Sequence, residues 1–143
     1  MIRGRYYMNK RIKDKINDIE TYLEQLAEIK PKTFKGYEKD FKTKAACERY
    51  FEKIVEAVID LAFLIINEKG FKTPEEDSQA FTILEFEKII NNKLANKLKD
   101  MKGMRNIIAH QYGEVNDELM FIAINEEIEN DVNLFLDIVK KLD

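Results

Sequence analysis

The chain has 143 residues, enough for one domain with a proper hydrophobic core. It is 45% hydrophobic and 36% charged with a net charge of −3, which excludes indiscriminate nucleic-acid binding through overall charge but not a local basic patch. The single cysteine, Cys47, excludes an internal disulfide, and no apolar run approaches the ~18–20 residues that span a bilayer.

Met1 to Lys10 is basic and aromatic without an apolar stretch, so it does not read as a secretory signal. Residues 1–8 read as an extension, with Met8 as an alternative start, and the default location is the cytoplasm. Amphipathic segments then follow one another with short breaks. Ile12, Ile16, Ile19, Leu23 and Leu26 recur at helical spacing and predict a helix over about Asn9–Lys30, ended by Pro31. A lysine-rich polar connection with Gly36 follows.

The second helix is expected from Thr43, as N-cap, to Lys69, with Gly70 as its stop. Ala46, Phe51, Ile54, Val55, Val58, Leu61, Ala62 and Ile65 make it the most hydrophobic and hence the central helix. Cys47 lies in this pattern and reads as a reduced core thiol. After Pro74, Asp77 or Ser78 caps a third helix reaching about Asn91. Asn91-Asn92 marks a break before a fourth helix from about Lys93 to Tyr112, closed by Gly113. A short Asp117–Ala123 segment leads to Asn125, read as the cap of a last helix carrying Ile128, Val132, Phe135, Ile138, Val139 and Leu142. Leu119 to Ile124 is the one stretch ambiguous between strand and helix. The whole, residues 1–143, reads as a single all-α domain, an antiparallel bundle of four to five helices.

The fourth helix holds an anomaly. Projected at about 100° per residue, Leu94, Leu98, Met101 and Ile108 share one arc, and Arg105 and Tyr112 fall inside it. Arg105 reads two ways: a side chain snorkelling to solvent, or a guanidinium held in a cleft for bidentate anion recognition. His110, the only histidine, reads as a charged residue near a helix C-terminus or as a proton-transfer group. It cannot build a multi-histidine metal site, and no metal or other cofactor is expected. Asn106 lies four residues before His110, on the same face, where its amide can orient the imidazole.

Arg105 and His110, by contrast, are five apart, about 140° around an ideal helix. Three arrangements reconcile them: unwinding near His110, the reach of the arginine, or completion by a second copy across a twofold axis. The face with Gly103, Asn106, Ile107 and His110 is one candidate for that contact. From Lys88 to Arg105 the basic residues are Lys88, Lys93, Lys97, Lys99, Lys102 and Arg105, against one acid, Asp100. Lys97, Lys99 and Lys102 are candidates for steering an anionic ligand, or they solvate an exposed face.

The run Arg105-Asn106-Ile107-Ile108-Ala109-His110-Gln111-Tyr112 resembles the R-x(4–6)-H signature of the HEPN superfamily. More narrowly it resembles the R-x4-H-x-Y form of HepT toxins from HepT–MntA toxin–antitoxin pairs. The resemblance extends to chain length, helix order and the apolar second helix with Ala46-Cys47-Glu48-Arg49 near its start. It implies a HEPN-like bundle, a homodimer, and metal-independent RNA cleavage by Arg105, His110 and Asn106. It also implies a small MntA-like nucleotidyltransferase as antitoxin, which adenylylates Tyr112 and silences the toxin. Two other functions stay open from the residues: a non-catalytic subunit that binds nucleotide or substrate for such a transferase, and a plain helical dimerisation module.

Overall fold

The computed structural model describes residues 9–110 and 115–142, and among these every regular element is helical. In chain order they are α1 (Lys10–Ile29), α2 (Phe34–Lys39), α3 (Phe41–Lys69), α4 (Asp77–Phe86), α5 (Asn92–His110), α6 (Asp117–Ile122), a π-helical turn (Ala123–Glu127) and α7 (Ile128–Lys140). The residues read as an N-terminal extension lie outside the described ones.

The apolar stripe of α1 is buried as its spacing requires: Ile12, Ile16, Ile19, Leu23 and Leu26 all face inward. Asn9 caps the helix, its side-chain oxygen accepting from the Arg11 amide at 2.7 Å. α3 is the hub, packing against α1, α2, α4 and α5. Its buried positions, among them Phe51, Ile54, Val55, Val58, Leu61, Ala62 and Ile65, spread round most of its girth. A helix apolar on so many sides is stable only inside a bundle. α1 runs antiparallel to α3, as Asn9 to Glu68, Lys15 to Asp60 and Tyr22 to Lys53 show in succession. It also runs antiparallel to α7, through Glu20–Lys140 and Lys30–Glu129. The bundle of main helices is the one expected.

Four stretches differ markedly from the sequence reading. Thr43 is not the cap of α3. Asp40 is, with one carboxylate oxygen accepting from the Lys42 and Thr43 amides and the other from the Thr43 hydroxyl. The lysine-rich connection contains a helix, α2, capped by the Thr33 hydroxyl. It is held by Tyr37, which is fully buried against Phe121 with ring centres 5.9 Å apart. α4 stops at Phe86 rather than near Asn91, because Lys88 adopts a left-handed backbone (φ 63°) and the Ile89 amide returns to the Leu84 carbonyl at 2.9 Å. Asn91 then caps α5 through the Leu94 amide.

The fourth difference is the last helix. Asn125 does not start it, since the helix begins at Asp117, capped by Asn116, and continues to Lys140 through the π-helical turn. The Asn125 amide donates back to the Phe121 carbonyl at 3.2 Å, one turn earlier. Met120, just ahead of the turn, and Ala123 and Ile124, at its start, form one buried set, and Ile128, Val132, Phe135, Leu136 and Val139 after it form a second. Counted at the α-helical step, the second set is displaced by about 100° from the first, one residue's worth. The wider turn absorbs that residue, so both sets face one core. The stretch Leu119 to Ile124 is thereby helical.

Lys88 is the only non-glycine residue among those described with positive φ. A side chain there costs about 1 kcal/mol over glycine. Lys88→Gly is therefore expected to stabilise the fold by roughly 0.5–1 kcal/mol, read as a raised urea midpoint at unchanged slope. An unchanged or lowered midpoint would contradict this account of how α4 ends.

Candidate functional site at the end of the fifth helix

Leu94, Leu98, Met101 and Ile108 fasten one face of α5 to the core. Arg105 lies in that arc, and its side chain is carried inward with them. It keeps only 15% of its exposure, so it does not snorkel to solvent. Its guanidinium enters an open cleft lined by Glu56, Ile59, Asp60 and Phe63 of α3 and by Asp77, the first residue of α4. Nη2 lies 3.6 Å from the Asp77 carboxylate, an ion pair rather than a close hydrogen bond. Nε is buried and finds no hydrogen-bond partner among the described residues. The opposite face of α5 is open. Gly103, Ile107 and His110 are exposed and Asn106 is half-buried.

α5 is regular through His110. Unwinding before His110 therefore does not bring it to Arg105, and the reach of Arg105 is spent on the α3–α4 cleft. Of the three reconciling arrangements, completion by a second copy is the one this geometry favours. Tyr112 lies outside the described residues, as does the helix end anticipated at Gly113.

The candidate steering lysines divide. Lys97 turns to the buried carboxylate of Asp131 on α7, 3.8 Å away, beside a small cavity of about 60 Å³ that Met101 and Met104 also line. This gives Lys97 a structural task that the sequence reading did not assign. Lys99 and Lys102 stay partly exposed on α5. Asp77, read as a helix cap, is instead the first residue of α4, with Glu76 at the cap position, and is the ionic partner of the motif arginine. It stands 28 positions earlier, and no local spacing signals the pairing.

A second polar cluster joins α2, α3 and α6. Lys44 donates to Asp117 at 2.7 Å, and that bond raises its pKa. Burial raises the Glu48 carboxyl, and burial followed by the charge of Glu48 pushes the Cys47 thiol up to about 11. A thiol so held is a core residue rather than a nucleophile. The Tyr37 hydroxyl, raised by burial above its ordinary range, has no hydrogen-bond partner among the described residues. Among those residues no group of three histidine, cysteine or carboxylate side chains could hold a metal ion, and no helix is long and apolar enough to cross a membrane.

Comparison with known proteins agrees with this architecture. The chain is 27% identical over 133 residues to an mRNA nuclease HepT of Shewanella oneidensis, covering 93% of this chain and 98% of the relative. It is 25% identical over 114 residues to a tRNA nuclease HepT of Aphanizomenon flos-aquae, covering 80% and 78%. Among solved structures it is similar to the tri-AMPylated Shewanella oneidensis HEPN toxin in complex with its MNT antitoxin. That likeness has a TM-score of 0.88 at 27% identity, over 94% of this chain and 100% of that one. A toxin–antitoxin complex with AMP-PNP is similar with a TM-score of 0.86 at 25% identity, again over 94% and 100%. The family model described as ribonuclease HepT-like matches residues 19–139, and the chain belongs to that HepT-like family.

Proposed function

We propose that this chain is the toxin ribonuclease of a toxin–antitoxin pair, acting in the cytoplasm as one HEPN-like domain over residues 1–143. The observation that carries the reading is the position of the motif. Arg105 is drawn into a cleft and His110 is left exposed on the last turn of α5, in a chain that shares its fold over 94% of its length with a HEPN toxin bound to its antitoxin.

The chemistry follows from these groups. RNA cleavage without a metal needs a base for the ribose 2′-hydroxyl, an acid for the leaving 5′ oxygen and a cation for the crowded phosphate. His110 takes the first proton or returns the second. Arg105 holds the phosphate and stabilises the charge developing on its oxygens. Asn106, one turn before His110, orients the imidazole or the RNA. Lys99 and Lys102, and the exposed part of Lys97, steer the polyanion, so activity falls as salt rises.

Arg105 and His110 leave α5 on different flanks, so one chain supplies half-sites and a homodimer completes them. Gly103 supports this. A glycine within a helix costs about 1 kcal/mol against alanine, and a side chain added there would meet nothing within 4 Å among the described residues. Packing inside the chain does not require the glycine. Close approach of a second copy does.

The partner is a small MntA-like nucleotidyltransferase antitoxin, and its action is to transfer AMP from ATP to the Tyr112 hydroxyl with release of pyrophosphate. The added phosphate and bulk silence the RNA site. The relatives crystallised as an AMPylated toxin with MNT antitoxin and as a complex with AMP-PNP support this part of the reading.

Purified chain is expected to cleave RNA in the presence of EDTA, and His110→Ala to lose about 100-fold or more of that activity. Equal cleavage by the variant would remove His110 from the mechanism. Gly103→Glu, which folds as a helix at least as well, is expected to shift the protein to monomer in analytical ultracentrifugation and to lose cleavage in parallel. A fully active monomer would refute the half-site arrangement. After incubation with ATP and the partner enzyme, intact mass is expected to rise by whole AMP units, and Tyr112→Phe to abolish the gain. An adduct that survives that substitution would place the modification elsewhere.

A further inference from the structure

The cleft that receives Arg105 is poorly suited, as it stands, to receive a phosphate. Three carboxylates line it, from Glu56, Asp60 and Asp77, against one guanidinium. They are not equivalent. Asp60 has its own cation, Lys15, 3.5 Å away on α1. Asp77 has Arg105 itself, at 3.6 Å. Arg105 thus already has an anion beside one of its nitrogens, while its buried Nε has no hydrogen-bond partner among the described residues.

Asp77 is also built to let go. Its side chain keeps 52% of its exposure, and it stands at the first position of α4, where the helix dipole favours a carboxylate with or without the arginine. The pair is longer than a charge-assisted hydrogen bond, which lies near 2.7–2.9 Å. A phosphate can offer the same guanidinium a bidentate contact that takes in Nε, the atom now unsatisfied.

We propose that Asp77 is an affinity-determining residue for the anion site, a built-in competitor that occupies Arg105 in the resting chain and is displaced when a phosphodiester of the nucleic acid enters. The proposal rests on the ribonuclease reading for its meaning in catalysis, but its physical content is an anion-binding equilibrium. An ion pair of this kind, open to water on the Asp77 side, is worth about 0.4–1 kcal/mol. Removing the competitor therefore tightens anion binding by roughly two- to fivefold.

The test is a double-mutant cycle read by fluorescence anisotropy. The probe is a labelled 2′-O-methyl oligonucleotide, which lacks the attacking hydroxyl, so binding is separated from cleavage. Asp77→Asn is expected to lower Kd by about two- to fivefold in the otherwise native chain and to have no effect in an Arg105→Met background. Asp60→Asn, whose carboxylate is already matched by Lys15, is expected to change Kd by less than about twofold. Weaker or unchanged binding by D77N overturns the proposal, as does a gain that persists without Arg105 or is equalled by D60N. So does an absence of Arg105-dependent binding. Should D77N fail to fold, Asp77→Ser at the same helix start replaces it. In cleavage assays D77N is expected to lower KM without lowering kcat, whereas a residue that merely orients Arg105 would lower kcat. A chain that never cleaves RNA but shows the binding cycle would sink the ribonuclease reading and leave this proposal standing.

Discussion

The constraint on which the structure depends is the burial of α3, a helix of 29 residues that is apolar round most of its girth. Each of its large aliphatic or aromatic side chains contributes about 1.5–3 kcal/mol when fully buried. That contribution is available only if other helices cover several sides at once. α1, α4 and α5 supply the cover, and each is fixed in rotation by its own apolar stripe. Because the stripe of α5 includes Arg105, seating the helix on the core also seats a guanidinium against α3. Placement of this cation is a by-product of core packing, which makes it rigid.

Seating a charge there has a cost that the neighbourhood offsets. A guanidinium deprived of most of its water needs counter-charge, and the carboxylates of Glu56, Asp60 and Asp77 line the cleft around it. On the other side of the helix His110 stays exposed. One helix thus carries a largely buried, ion-paired cation on one flank and an exposed imidazole on another. Their separation follows from an α5 that stays regular to His110. In this reading the dimer is part of the site's construction.

How much of this was legible depends on the range of the interaction. The stripes of α1, α3 and α5 are set by neighbours three and four residues apart, and the structure buries them apart from Ala46, which is half-buried at the start of α3. The stop at Gly70 is equally local, with φ of 74° that glycine adopts freely. The projection that placed Arg105 in the buried arc was of the same kind. What escaped the sequence depends on distant partners. α2 forms because Tyr37 is buried beneath Phe121, 84 positions later. The Asp77–Arg105 pair joins two elements whose meeting only the assembled bundle decides. Lys97 drew attention as part of a basic run, yet a buried Asp131 engages it. Asn125 looks like a helix cap for a subtler reason. A shift in apolar phase looks the same in sequence whether the helix breaks and restarts or takes up one extra residue within an unbroken turn.

That extra residue at Ala123–Glu127 has a bearing on how the family can change. Both flanks of the turn are already aligned to the core, so loss of one residue would relax the π-helical turn into ordinary α-helix without rotating either flank. The segment is a length buffer inside a load-carrying helix. Elsewhere in α3 or α5 the loss of one residue would turn the apolar stripe through about 100° and expose it to water. Here it would leave the core facing as before, so relatives that differ by one residue at this place are free to keep the same bundle.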